Sequence, residues 1–419
     1  MDEVRRAVGA VWRVEAPVLV ASLVRLVRDV GIAEELAQDA LVAALEAWPE
    51  SGTPDKPGAW LLATARHRAI DRQRRARLAA RKLEALEHDE ARRQELAGLD
   101  LEAVLDEDVG DDLLRLMLVA CHPVLGAEAR VALTLRLLGG LTTAEIARAF
   151  LVPESTIAQR IVRAKRTLAE ARVAFEAPRG EARRERVGSV LEVLYLVFNE
   201  GYAATRGDDW TRPGLCDDAM RLGRVLQGLA PEVAEVHGLV ALMELQASRL
   251  AARTGPAGEP VLLLDQDRQR WDQTLIAHGL DALDRAIALG GAAGPYALQA
   301  AIAACHARAV TAADTDWGRI AAIYEALARV TPSPVVELNR AVAVGFAHGP
   351  AAALAIVDAL AAAGSLARYH LLPSVRGDLL AKLGRRDEAR AEFARAAALA
   401  TNARERSLLL ARAGNTGRA

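Results

Sequence analysis

Between Leu141 and Leu168 the apolar positions change spacing in a way that marks two short helices and a turn. Thr142 followed by Glu145 forms a capping box, with Leu141 and Ile146 placed as a hydrophobic staple, so a helix is predicted from about Thr143 to Phe150. Pro153 then breaks the chain while being tolerated in the first turn of the next helix. Ile157, Ile161, Ala164 and Leu168 recur at i, i+4, i+7 and i+11 as a buried stripe, which leaves Ser155, Thr156, Gln159, Arg160, Arg163 and Arg166 outside. Two short helices and a tight turn fit a helix-turn-helix, whose second helix enters the major groove of DNA. Arginine and glutamine suit that position because each makes paired hydrogen bonds to a base edge. A solvated amphipathic helix with scattered arginines has the same pattern. Such turns usually carry glycine where the backbone needs a positive φ, and Leu151 occupies that neighbourhood, so a differently wound turn is expected.

Beyond about Glu181 the pattern is helical throughout. Ile320, Tyr324 and Leu327, then Ala353, Val357 and Leu360, then Ala389, Phe393 and Ala396 share one internal spacing. The period, about 34 residues, is that of a tetratricopeptide repeat. Pro332 falls where the first helix pair is expected to end. Stacked pairs predict a curved solenoid with a concave surface for a partner; plain helical-hairpin packing without one is the alternative. The segments LYLVFNEGYAAT (Leu194 to Thr205) and LLLDQDRQRWD (Leu262 to Asp272) place Asn199, Glu200, Tyr202, Asp265, Asp267, Arg268 and Trp271 beside dense apolar runs. They are candidates for an interaction site, with structural networks and caps as the favoured reading.

Composition extends the picture to the whole chain. Its 419 residues suffice for two or three domains, and 52% hydrophobic content with only 4% aromatics favours Ala- and Leu-built helices, so an all-α fold is expected. The net charge of -2 hides strong local asymmetry. Thr64 to Arg81 carries Arg66, Arg68, Arg72, Arg74, Arg75, Arg77 and Arg81 against Asp71 alone, whereas Lys82 to Asp112 is acidic and is predicted to be a linker. Cys121, Cys216 and Cys305 lie far apart and form no disulfide or metal pattern, and the Asp265 and Asp267 pair lacks further ligands, so neither metal nor cofactor is expected. Arg13 and Glu15 interrupt the only apolar run near the start, so no signal peptide or membrane span is expected and a reducing cytoplasmic setting fits. With no Walker loop, dinucleotide turn or nucleophile elbow, enzyme activity is not expected.

DVGIAEELAQDALVAALEAWP (Asp29 to Pro49) and PGAWLLATARHRAIDRQRRARL (Pro57 to Leu78) together closely resemble region 2 of the extracytoplasmic-function class of bacterial RNA polymerase sigma factors. PESTIAQRIVRAKRTL resembles the promoter-reading helix of region 4 in the same class. The resemblance covers about the first 175 residues. It implies a region 2 module over 1-81, an acidic linker over 82-112, a region 4 module over 113-177 and a helical C-terminal domain over 185-419. The implied partners are core RNA polymerase, through its β′ clamp helices and β flap, and promoter DNA. Glu34, Glu35, Leu36, Gln38, Asp39 and Leu41 would dock on polymerase. Trp60, Arg66, His67, Arg68, Arg72, Arg74 and Arg75 would meet the minus-10 element, although His67 stands where many relatives carry Asn and Trp60 serves equally well as a core anchor. Ser155, Thr156, Gln159, Arg160, Arg163, Lys165 and Arg166 would meet the minus-35 element. The acidic linker would thread a basic channel of polymerase or act as a plain spacer.

Past region 4 the chain resembles the subgroup of these factors numbered 42, whose long tetratricopeptide-like tail stands in for a separate membrane anti-sigma factor. A protein or small-molecule partner of the tail is left open. The main rival is a one-component helix-turn-helix regulator with a sensing solenoid, against which region 2 argues. A scaffold protein leaves both arginine clusters unexplained.

Overall fold

The computed structural model describes residues 2–83, 109–205, 207–256 and 258–415. Among them are eighteen α-helices and no strand, only two isolated bridges, as the all-α expectation requires. None of the described helices is long and apolar enough to cross a membrane. The chain divides into two compact units, Met1–Val193 and Leu194–Ala419.

The first unit contains α1 (Asp2–Val27), α2 (Val30–Ser51), α3 (Pro57–Leu83), α4 (Val109–Ala120), α5 (Ala127–Leu137), α6 (Thr143–Phe150), α7 (Glu154–Glu170) and the start of α8 (Gly180–Tyr202). Asp29 caps α2 by accepting from Ile32 N at 2.8 Å, and Gly52 ends it at φ 79°, a conformation open to glycine without strain. Helix α1 packs against α2 and α3 and also against α4 and α5, so the first three helices and the helix-turn-helix group share a wall. The sequence pattern pointed instead to two tethered modules. Residues 84–108 of the expected linker lie outside the described residues. Its last residues belong to α4, where Asp112 is buried between Arg25 at 3.2 Å and Arg115 at 2.8 Å.

The predicted helix-turn-helix is present at its expected bounds. Glu145 N donates to Thr142 Oγ1 at 3.1 Å and Thr142 N to the Glu145 carboxylate at 2.8 Å, closing the capping box. Ile157, Ile161, Ala164 and Leu168 are all buried. The turn is not wound differently: Leu151 itself adopts the left-handed conformation, φ 50° and ψ 46°. That costs an L-residue about 1–2 kcal/mol, offset by two turn hydrogen bonds, Leu151 N to Arg148 O and Val152 N to Ala147 O.

The Arg- and Glu-rich residues before Val187 are mostly the first turns of α8. Val187 and Val190 are buried, Ser189 Oγ donates to Cys121 O at 2.5 Å, and Arg130 binds Ser189 and Glu192 at 2.7 and 2.8 Å. These arginines and glutamates therefore occupy the wet side of a helix that closes the helix-turn-helix core.

The second unit continues with α9 (Pro213–Leu229), α10 (Ala234–Ala247), α11 (Gln273–Ala288), α12 (Pro295–Arg308), α13 (Trp317–Val330), α14 (Pro334–His348), α15 (Pro350–Ala363), α16 (Leu371–Lys382), α17 (Arg386–Leu399) and α18 (Ala403–Asn415). From α11 onward each helix packs on the next. Of the repeated positions, Ile320, Leu327, Ala353, Val357, Ala389, Phe393 and Ala396 are buried and Tyr324 and Leu360 are half-buried, which is helical-hairpin stacking at the period read from the sequence. Pro332 separates α13 from α14, so it ends one helix and not a pair. Helix α10 is buried on nearly every side. Gly279 allows α11 to close on it, since a Cβ there would lie 2.8 Å from Leu245 Cγ.

The stack is not open-ended. Buried Asn402, just before α18, donates through Nδ2 to Ala204 O at 3.2 Å and Asp209 O at 2.9 Å, while Thr401 Oγ1 donates to Thr205 O at 2.8 Å. Gly207 and Asn402 form one of the isolated bridges. The end of the unit is thus tied to its beginning across nearly 200 residues of sequence. Asn402→Ala leaves two backbone carbonyls without that donor, and each buried group left unpaired costs about 1–3 kcal/mol. The expected outcome is a lower urea midpoint with an unchanged helix signal before the transition; a midpoint equal to wild type would show that the closure contributes nothing.

Candidate functional site

Predicted polymerase-binding and DNA-binding residues meet at Glu34. This side chain, 6% exposed on α2, accepts from Arg136 Nε at 2.6 Å and pairs with Lys165 of α7. Burial alone raises the pKa of a carboxyl, but Lys165 and Arg136 together outweigh it and hold Glu34 below its ordinary value, so it is ionised. Arg136 also donates to Leu141 O at 3.1 Å. Arg13 with Glu145 at 2.9 Å adds a second ion pair between the first three helices and the helix-turn-helix group, and Arg25 with Asp112 adds a third.

The expected acidic docking face is therefore not wholly exposed. Glu34 and Leu36, the latter 2% exposed, are buried, Gln38 and Leu41 are half-buried, and Glu35 and Asp39 face solvent. Glu35 pairs with Arg72 at 2.7 Å and Asp39 with Arg68 at 3.6 Å. Both pairs are solvent-exposed and worth at most about 1 kcal/mol each, little enough to exchange for an external partner. A groove of about 430 Å³ opens at Asp39, Arg68 and Arg72 over Leu36.

Among the predicted minus-10 residues, Trp60 is half-buried and packs edge-on against buried Trp48 at 5.4 Å, an anchoring contact between α2 and α3. His67 and Arg72 are exposed, and Arg66 and Arg68 are half-buried. Arg74 and Arg75 lie on α3, with side chains outside the described residues. On α7, Ser155, Gln159, Arg163 and Arg166 are exposed, and Thr156, Arg160 and Lys165 are half-buried. Arg160 pairs with Glu128 at 2.6 Å and Arg166 with Glu170 at 2.7 Å, while Arg163 has no ion-pair partner among the described residues. Lys165 turns to Glu34 and away from the face that carries the others.

The predicted C-terminal residues separate into two sets. Asn199 bonds Tyr195, Glu200 accepts from Thr205 at 2.9 Å and pairs with Arg212, Asp265 faces solvent, and Asp267 caps a short 3-10 turn by accepting from Gln269 N at 3.0 Å. Asn199, Glu200 and Asp267 thus sit in local networks and caps, whereas Asp265 has no side-chain hydrogen bond among the described residues. Tyr202, Arg268 and Trp271 instead belong to a cluster that includes Arg249 and Arg253, two residues the sequence reading missed. One signal was available for them: no acidic residue lies between Glu244 and Glu259, where both arginines stand.

Comparison with known proteins agrees with this geometry. The family Sigma-70 region 2 matches residues 12–79, Sigma-70, region 4 matches residues 115–168, and a family of unknown function (DUF6596) matches residues 186–287. An uncharacterised protein of Rhizobium meliloti (strain 1021) is 46% identical over 391 residues, 93% of this chain and 91% of that protein. No solved structure matches the chain. With regions 2 and 4 in order on an all-α fold, the protein is a sigma factor of the sigma-70 type, which binds core RNA polymerase and promoter DNA and directs promoter-specific transcription initiation. Within that class it belongs to the extracytoplasmic-function-like sigma factors that carry a C-terminal extension.

Glu34→Gln removes the anion between two cations. Breaking a buried pair in this way costs about 3–5 kcal/mol, measured as a fall in the thermal stability of the first unit. Because the folded carboxyl is held below its ordinary value of 4.5, its contribution is complete above that pH and is lost as pH falls further below it. The variant is expected to show a flatter loss of stability below about pH 4.5 than wild type. Identical acid profiles would show that the pair does not hold the helices together.

Proposed function

We propose that α2 docks on the β′ clamp helices of polymerase, that α3 meets the minus-10 element, and that α7 reads the minus-35 element while its module engages the β flap. The observation carrying this reading is the helix-turn-helix itself, which projects Ser155, Gln159 and Arg163 from one face of α7, Arg163 without a competing carboxylate among the described residues. Arg160 and Arg166 give up only exposed partners to reach a phosphate or base. Glu35 and Asp39 are the accessible polymerase contacts, with Gln38 and Leu41 beside them. Glu34 and Lys165 become available together when the contact between them opens, so polymerase docking through Glu34 and DNA contact through Lys165 are coupled events. The protein acts in the cytoplasm, where polymerase and promoter meet, and directs the chemistry of polymerase without performing any.

The test is transcription from a mapped promoter with purified core polymerase. Arg163→Ala is expected to weaken promoter binding by about 1–3 kcal/mol and to relax preference at one base pair of the minus-35 element. Uniform weakening across a promoter library would assign Arg163 to phosphate alone.

The C-terminal unit completes the factor in this reading. It is a large domain with its own closed core, and the family it matches in part has no assigned function. The truncation that tests this ends at Val193, because the first half of α8 is needed to close the helix-turn-helix core. The shortened chain is expected to lose transcription. Activity equal to or above full length would make the extension a built-in inhibitor.

A further inference from the structure

The second unit holds a group of arginines, two of which, Arg249 and Arg253, have no ion-pair partner among the described residues. Arg249, only 8% exposed, lies just after α10 with its guanidinium carbon 5.8 Å from the ring centre of Tyr202 and 5.9 Å from that of Trp271. Arg253, one turn further on, sits 3.8 Å over the same Tyr202 ring and 5.5 Å from Trp210, with the Tyr202 hydroxyl as its side-chain hydrogen-bond partner. Arg268 covers Trp271 at 4.6 Å and donates to the carbonyls of His306 and Ala309 and to the Thr315 hydroxyl. The last is a structural role, since those carbonyls lie at and just beyond the end of α12. Among the described residues Arg249 and Arg253 donate to no carbonyl, and Arg253 has only the Tyr202 hydroxyl. Among the described residues neither has a carboxylate within ion-pair distance, and the Nε of each is buried without a hydrogen-bond partner.

This arrangement is costly as it stands. A guanidinium cannot shed its proton to escape burial. Stacking on an aromatic ring recovers only part of the cost of leaving water. The cations also repel: Arg249 lowers the basicity of Arg253 and Arg268, on which burial acts first, and Arg249 and Arg268 add to the burial that pushes the neighbouring His306 down to about 3, so the imidazole stays neutral. The group lacks one component, an anion. The Tyr202 ring lies against Arg253, and the Tyr202 and Trp271 rings lie within 6 Å of Arg249; a guanidinium flanked by rings keeps its N–H edges for in-plane contacts, the geometry that meets an oxyanion with paired hydrogen bonds.

We propose that Arg249 and Arg253, walled by Tyr202, Trp210 and Trp271, form a binding site for a small oxyanion, a phosphate or carboxylate group. The site stands on the second unit alone and does not rest on the assignment of the DNA and polymerase contacts. It gives the extension of this sigma factor a chemical input of its own.

The experiment is calorimetric titration of the full chain with pyrophosphate and, separately, with citrate, each against sodium chloride of equal ionic strength. Saturable binding of either above chloride is expected, together with a rise in melting temperature; the two arms distinguish a phosphate from a carboxylate preference. Arg249→Met is expected to weaken binding at least tenfold while keeping or raising the melting temperature in plain buffer, because it removes an uncompensated charge at similar volume. Arg163→Ala, on the DNA-facing helix, is expected to bind as wild type. Hydrogen exchange on the wild-type chain provides a readout without any variant: the oxyanion should protect segments within 202–271 and leave 154–170 unchanged. Absence of saturable binding by both ions, undiminished binding in Arg249→Met, or protection confined to 154–170 would each overturn the site.

Discussion

A buried carboxylate between two cations sets the arrangement of the first unit. Glu34 is removed from water, which by itself favours its neutral form, and Lys165 and Arg136 outweigh that burial and hold its pKa below the ordinary value. The three side chains come from α2, α5 and α7, so satisfying one charge fixes the distance and register of helices far apart in sequence. Arg25 with Asp112 and Arg13 with Glu145 act in the same direction, but Arg13 is largely exposed and its pair is correspondingly weak. The contact at Glu34 also joins a residue of the proposed polymerase-docking face to one of the proposed DNA-reading face. On that proposal, each of the two residues occupies the other.

The second unit is organised by a different constraint. With few aromatics available, its helices are joined by small side chains, and hydrophobic clusters pass from one helix pair to the next through α14, which contributes Ala343 and Val344 to one cluster and Leu338 and Ala341 to the following one. Stacking of this kind ordinarily leaves two free ends. Here Asn402 hydrogen-bonds the loop at Ala204 and Asp209, so the ends are joined, and the loop held in place carries Trp210 to the arginine cluster. Closure and the cluster therefore share a structural element.

Local order was largely legible in the sequence. The capping box at Thr142 and Glu145, the stripe from Ile157 to Leu168, and the repeat through Val357 and Phe393 depend on spacing along one helix, and spacing is what a sequence displays. The misread positions depend on partners distant in sequence. Nothing local to Ser189 records that its hydroxyl reaches Cys121. Leu151 looks wrong for a left-handed turn because propensity cannot weigh the hydrogen bonds that the turn gains. Glu34 looks like its exposed neighbour Glu35, since nothing local records that Arg136 lies a hundred residues away in sequence and a hydrogen bond away in space.

The arginines show most clearly what structure adds. Arg163 and Arg249 are the same residue type, and among the described residues neither has a carboxylate partner. At the surface an unpaired guanidinium is fully hydrated and costs almost nothing, so its freedom at Arg163 becomes informative only through the helix-turn-helix that presents it. In the interior the same lack is expensive, and a protein of ordinary marginal stability does not keep such a cost without an offset. The burial of Arg249 therefore points to a ligand on physical grounds alone, whereas the exposure of Arg163 needs a family to give it meaning.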